Sequence, residues 1–332
     1  MFDLSAYHSR MGFVSILVAL LLEQARPLKQ GNAAHGLARA WVRWVGHSFD
    51  AGRPQHAVLA WTVGVLLPAT VTAAVYWVLV LAAGWPLAMV WNIVVLYVTL
   101  GFRQFSHHFT DIRNALESGD TEQARHLLAR WRQVDLAGLP RSEIVRQVVE
   151  HSVIAAHRHV FGVLTWFSIL SAVGLGPAGA VLYRLGEFVP RYWRSKAEVL
   201  AQPVSEPLQV MASQCWHLID WLPARVTAIG FAVVGSFEEA IENWRNRVQQ
   251  GLSGNDGVIL AATAGAINLH LGSGAQDPGG GGADTDGDAS ALLSGGQQPE
   301  VGHLRTVVGL VWRTVLMWMT LLALLTLARL LG

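Results

Sequence analysis

Cysteine is nearly missing from this chain. Cys215 stands alone among 332 residues, which excludes an internal disulfide framework and any site that draws several thiolates from one chain. Charge is scarce as well: 14% of residues are charged against 52% hydrophobic, a balance that points away from an ordinary soluble globule. A formal net charge of +1 gives no bulk attraction for nucleic acid, and no Lys/Arg cluster is interleaved with stacking aromatics, so nucleic acid is set aside as a partner. The chain also lacks Gly-x-x-x-x-Gly-Lys-Ser/Thr, Gly-x-Ser-x-Gly and His-Glu-x-x-His, the common signatures of phosphate, acyl and zinc chemistry. Its start has neither the charged opening nor the small-residue cleavage site of a signal peptide, so the apolar stretch 13–22 is expected to be retained.

What the chain does have is long apolar runs separated by Arg-rich polar blocks. Residues 306–331 form the clearest run, and only a bilayer offers solvent for that much uncovered apolar surface. Residues 57–83 also reach the roughly 20 residues needed to span the hydrocarbon core, and 86–100 follows directly after Gly84 and Trp85, which together predicts a helical hairpin. The run 12–22 is short, a half-span or an interfacial helix. The run 160–185 is long enough but carries Gly174, Gly176, Pro177 and Gly179 in its middle, which predicts two half-helices buried in protein or lining a cavity. The 14 tryptophans suit rings at the headgroup level, some of them serving only in packing.

Arg26, Lys29, Arg39, Arg43 and Arg53 precede the hairpin, and Arg103, Arg113, Arg125, Arg130, Arg132, Arg141 and Arg146 follow it, so both flanks are expected in the cytoplasm. Arg184, Arg191, Arg194 and Lys196 then follow the broken segment, which asks it to enter and return on one side as a re-entrant pair. Between 103 and 150 the apolar positions Leu116, Ala124, Leu127 and Leu128 recur at helical spacing, and Ser118-Gly119-Asp120 supplies a turn with an N-cap before Thr121. Two amphipathic cytoplasmic helices are expected there. Residues 272–300, with Gly279 to Gly282 and few apolar groups, read as a flexible loop before the last span.

The candidate chemistry is thin. Asp284, Asp286 and Asp288 resemble a calcium loop only superficially, because no Glu stands at the twelfth position and no flanking helices are expected. His107 and His108, with His151, His157 and His159, are dense, yet positions two apart on a helix face different ways, so interfacial or capping roles are preferred over a metal. Arg313, within a turn of the start of the last span, is read as snorkelling to the headgroups. The sequence Trp221-Leu222-Pro223-Ala224-Arg225 reads as the opening of an apolar helix with proline near its first turn. Asp220 then either caps that helix or serves a site, and Arg225 is placed to neutralise an anion at the membrane surface. Substitution of Arg225 by Ala is expected to abolish function and leave insertion intact.

Several stretches resemble the CobD/CbiB family of membrane enzymes late in cobalamin biosynthesis: Ala19-Leu20-Leu21-Leu22-Glu23; Ala115 to Asp120 with Gln123-Ala124-Arg125; Asp135 to Leu139; Gly176 to Ala180 with Tyr183-Arg184; and Trp221 to Arg225. Asn255-Asp256-Gly257 with 261–265 resembles the family's Asn-Ala-Gly stretch. The resemblance implies joining an aminopropanol or its phosphate to adenosylcobyric acid as an amide. The acidic run that synthase-like members carry before the broken segment is reduced here to Glu150, with Ile154, Ala155, Ala156, Arg158 and His159 at its other places, and a second run becomes Glu187, Pro190, Arg191 and Tyr192. Ile154, Ala155, Ala156 and Pro190 and the guanidiniums of Arg158 and Arg191 neither hold Mg²⁺ nor act as a base. In this the chain looks more like AmpE, a relative described as a membrane regulator of β-lactamase induction.

The expectation is therefore an all-α polytopic transmembrane bundle with a re-entrant or broken helix pair and amphipathic cytoplasmic helices, in the bacterial inner membrane. It comprises a membrane domain over 1–271, the loop 272–300 and a last helix 301–332 of the same domain. As function it is a diverged regulatory or accessory member, the alternative being an active synthase. Glu150 and Asp120 are the catalytic candidates, and Arg225, Asp220, Asn255 and Asp256 the ligand-binding ones. No metal set or cofactor is expected, Mg²⁺ and ATP entering only with the synthase reading. Partners are the lipid bilayer, a corrinoid or phosphate-bearing ligand, and a protein at the cytoplasmic helices.

Overall fold

A computed structural model describes residues 4–26, 33–132, 138–198, 204–250, 254–271 and 296–331. Among the described residues all regular structure is helical, save one isolated parallel bridge between Leu269 and Gln297. In chain order the helices are α1 (Leu4–Ala25), α2 (Ala33–Phe49), α3 (Pro54–Ala83), α4 (Trp85–Thr99), α5 (Phe102–Glu117), α6 (Thr121–Arg132), α7 (Arg141–Ala172), α8 (Ala178–Glu198), α9 (Glu206–Val234), α10 (Phe237–Gln249), α11 (Asn255–Ala266) and α12 (Val301–Leu331). Helices α3, α7, α9 and the stretch Val301–Ala328 are long and apolar enough to cross a membrane, and Met11–Ala25 and Trp85–Thr99 are shorter apolar helices. The all-α, multi-pass expectation is met. Lys29, residues 135–137 of one family-like stretch, Gly279 to Gly282, and Asp284, Asp286 and Asp288 lie outside the described residues, as does most of the loop 272–300.

Local chemistry sets the boundaries. Pro54 occupies the first turn of α3, where its missing N–H costs nothing, and Gly84 at φ 77° turns the chain sharply into α4, whose second residue is again a proline. This is the predicted hairpin. Asp120 accepts a hydrogen bond from the Gln123 amide at 2.9 Å and caps α6, as the turn signal requires. The break in 160–185 also falls where the glycines place it, between α7 and α8, with Gly174 and Gly176 at positive φ.

Two expectations need correction. The arm before the break is not a half-helix: α7 runs unbroken from Arg141, taking in the end of what reads as the cytoplasmic block. Val145, Val148, Val149, Ser152, Val153 and Ala156 carry a buried stripe forward, and a π turn at His157–Phe161 absorbs the polar His157-Arg158-His159 without ending the helix. Nor does a helix begin at Trp221, and Asp220 caps nothing, since both lie inside the 29-residue α9 with Pro223 in its interior. Proline cannot donate to the carbonyl four residues back. Here the Trp166 indole donates to that Ile219 carbonyl at 3.0 Å, so the helix continues. Trp41 stands in the same relation to Pro68, donating to the Gly64 carbonyl at 3.3 Å.

The chain divides into two compact units, one of Met1–Gln104, Arg158–Pro223 and Met319–Gly332, the other of Phe105–His157 and Ala224–Trp318. In the first, α8 lies so close to the end of α7 that a Cβ on Gly179 would stand 2.0 Å from the Trp166 carbonyl oxygen, and α1 packs on α4. In the second, α10 and α11 form an equally close pair, where a Cβ on Gly265 would meet the Glu239 carbonyl oxygen at 2.3 Å.

Candidate functional site

Within the first unit, Tyr183, Arg184, Glu187 and Arg191 share one face of α8 because they recur at intervals of three and four. Glu187 is buried, its side chain 2% exposed, and is gripped by two guanidiniums: Arg191 Nη1 at 2.9 Å from Oε1 and Arg184 Nη1 at 3.4 Å from Oε2. Arg158, from the π turn of α7, is a third cation near it. Burial opposes the charge of Glu187, but Arg191, Arg184 and Arg158 outweigh it and hold the carboxyl below its ordinary range. Asp220, also buried, accepts a hydrogen bond from the Tyr183 hydroxyl at 2.8 Å. The cluster thus brings three guanidiniums together with two engaged carboxylates, Glu187 buried and Arg191 more than half exposed.

One end of this cluster opens into a cavity of about 480 Å³ lined by α2, α3, α4 and α8. Its walls are mostly carbon, from Leu37, Leu67, Val71, Val98, Val181 and Phe188, with Arg184 and His35 as its ionisable groups. The His35 imidazole is held below its ordinary value, first by burial and then by Arg184, Arg39 and Arg191.

The second unit gathers other predicted residues. Arg225 donates to the Asn255 carboxamide oxygen at 3.0 Å, joining α9 to the first residue of α11, with half-buried Asp256 next in sequence. Glu150 is bound by Arg146 at 2.6 Å, and that guanidinium also engages Glu143. Asp120 is engaged as the α6 cap. His157 Nδ1 lies 2.9 Å from Thr227 Oγ1, while Trp131 stacks with His108 and meets His151 edge-on. Each of these histidines is thus in contact with a neighbouring side chain. Arg313 Nε donates to the Gly309 carbonyl on the exposed face of α12.

Of the predicted residues, Arg225 and Asn255 meet each other, Asp220 belongs to the cationic cluster, and Glu150 and Asp120 are engaged in an ion pair and a cap. Tyr183, Arg184, Glu187 and Arg191 were legible only as a motif and its departures; their helical spacing is the signal that joins them. Mg²⁺ needs several converging oxygen ligands. The carboxylates at the cluster are occupied by guanidinium and phenol donors, and among the described residues no group of three His, Cys, Asp or Glu is placed to hold a metal. The cluster does not fit the metal.

Comparison with known proteins agrees with the motifs. A family model described as CobD/Cbib protein matches residues 17–280. A "Cobalamin biosynthesis protein CobD" of Stutzerimonas stutzeri is 30% identical over 309 residues, covering 91% of this chain and 94% of its own length. Proteins of the same name from Chromobacterium violaceum and Leptospira interrogans are 32% and 28% identical over 206 and 193 residues, covering 61% and 58% of their lengths. No solved structure matches the chain. The match over most of its length, together with the motifs carried on α6, α8, α9 and α11, shows that this chain belongs to the CobD/CbiB family.

Proposed function

We propose that the protein serves cobalamin biosynthesis as a membrane-embedded accessory or regulatory member of its family, without amide-synthase activity of its own. It binds an anionic ligand, a corrinoid or a phosphate-bearing precursor, at the Arg158–Arg184–Arg191 cluster. The observation that carries this is the sign of the site. Where acidic groups would hold Mg²⁺ or act as a base, Arg158 and Arg191 stand instead, and the carboxylate of Glu187 is consumed in neutralising guanidiniums. The names of the curated relatives support the pathway. The absent acidic runs, as in AmpE, support the regulatory role, with the surfaces of α5 and α6 offered to a protein partner.

The second reading is an active enzyme resembling adenosylcobinamide-phosphate synthase, using Mg²⁺ and ATP. What favours it is the 30% identity maintained over 94% of a relative named for cobalamin biosynthesis. Complementation separates the two. Expressed in cells lacking their own synthase, the chain is expected to leave cobalamin-dependent growth on an early precursor unrestored. Growth equal to that given by an authentic synthase would establish the enzyme instead.

A further inference from the structure

We propose that the exposed side of α2 is a docking surface for acidic phospholipid headgroups, which Arg39 and Arg43 hold at the boundary of the hydrocarbon core. This goes beyond the role in cobalamin biosynthesis and does not depend on it.

The make-up of the helix is the first argument. The 17 residues of α2 include no Asp or Glu, and among the described residues neither Arg39 nor Arg43 is joined to a carboxylate. Val42 and Val45 are fully buried and the Trp41 indole donates to the Gly64 carbonyl, so one side of the helix is fixed inward. At about 100° per residue the other side divides in two. Arg39 and Arg43, one turn apart and both exposed, form one edge, while Leu37 and Trp44, two turns apart and 72% and 50% exposed, form the other. A cationic edge beside an apolar one is the pattern of helices held at an acidic membrane surface.

The second argument is depth. Helix α2 runs back along the beginning of α3, with Trp41 meeting Gly64 and Leu37 sharing a cavity wall with Leu67. From Leu67 to Ala83, before the Gly84 turn, α3 has 17 residues, a rise of about 26 Å, and α4 returns over 15, about 22 Å. Those two arms take up most of a hydrocarbon core of about 30 Å. The core boundary opposite the turn therefore falls near Leu67 and Thr99, and Arg39 and Arg43, beside the part of α3 that precedes Leu67, stand at headgroup level. The Trp44 ring, packed on those of Trp41 and Phe49, belongs to the same layer, where aromatic rings collect.

Charge selects the acidic headgroup. Phosphatidylcholine carries its own cation beside the phosphate, so only an acidic lipid leaves net negative charge for the two guanidiniums. The nearest carboxylate beyond the end of α2, Asp50, is already engaged by the amides of Gly52 and Ser205.

The test places a fluorophore on Ala40→Cys, an exposed position between the two edges, in the full chain with Cys215→Ala, reconstituted in dioleoyl phosphatidylcholine vesicles. Quenching by doxyl-labelled phosphatidylglycerol is compared with quenching by doxyl-labelled phosphatidylcholine at the same mole fraction. Phosphatidylglycerol is expected to be enriched at this fluorophore about fivefold, the amount that one cation near an acidic surface supplies. At Ala83→Cys, beside the Gly84 turn, the two lipids should quench equally. Arg39→Gln with Arg43→Gln is expected to abolish the enrichment while the unfolding temperature stays unchanged, and Arg39→Lys with Arg43→Lys to keep it. A fluorophore at Ala40→Cys that neither lipid reaches, equal quenching there by both, the same enrichment at Ala83→Cys, or enrichment that survives in the Gln pair or is lost in the Lys pair would each overturn the proposal.

Discussion

His35 shows how a single residue reports the sign of its surroundings. Burial and the charges of Arg184, Arg39 and Arg191 depress its protonation, with only Glu187 opposing, so the folded state favours the neutral ring. Its contribution to stability is complete above the ordinary value of 6.5 and declines as pH falls below it, because the unfolded chain then takes up a proton that the folded chain refuses. Unfolding temperature in detergent should accordingly drop more steeply from pH 7.5 to 5.5 for the native protein than for His35→Gln. Parallel profiles would mean that the arginine field does not reach the ring. The sequence shows the separate members of such sites but not their meeting. Arg225 and Asn255 are both visible as motif residues, yet 30 positions separate them, and Tyr183 and Asp220 are 37 apart. Asp220 followed by Trp-Leu-Pro has every local mark of a helix start, and nothing local reveals Trp166.

At the scale of elements, that tryptophan decides where a helix ends. Pro223 and Pro68 each deprive a carbonyl of its helical donor, and two indoles from other helices answer them, Trp166 for the one and Trp41 for the other. The apolar runs, the hairpin at Gly84 and the break at Gly174 to Gly179 are readable because they depend on composition and on φ, properties of the chain itself. The continuity of α7 through its π turn and of α9 through Pro223 depends on partners distant in sequence. Trp166→Phe keeps an aromatic ring but removes the N–H, and is expected to cost about 1–3 kcal/mol in thermal unfolding by leaving the Ile219 carbonyl without that donor. Pro223→Ala restores a helical N–H, so the double variant should recover a measurable part of the loss. Additive losses in the cycle would show that the indole does not stand in for the missing amide.

At the scale of the whole molecule, the distribution of Arg and Lys implies an orientation, and the first unit supplies geometry to support it. The end of α2 meets the last turns of α8 and the chain that follows it: the Gly46 position closes on Trp193, and Asp50 accepts a hydrogen bond from the Ser205 amide at 2.9 Å. Arg53 and the Arg191, Arg194 and Lys196 group therefore belong to one end of the unit, while the 30 residues of α3 rise about 45 Å to Ala83 at the other. Because a cytoplasmic excess of Lys and Arg fixes orientation, the first end should face the cytoplasm and the Gly84 turn the opposite side. The single native thiol makes this accessible to experiment, since Cys215→Ala yields a background without cysteine. In that background Ala51→Cys, Ala83→Cys and Ser195→Cys, all at exposed positions, can be probed with a membrane-impermeant maleimide in intact spheroplasts of an expressing bacterium. Ala83→Cys should label at once, and the other two only after lysis. Labelling of Ala51→Cys or Ser195→Cys in intact cells would invert the orientation and would place the Arg184–Arg191 cluster on the outer side, where a cytoplasmic corrinoid precursor has no access to it.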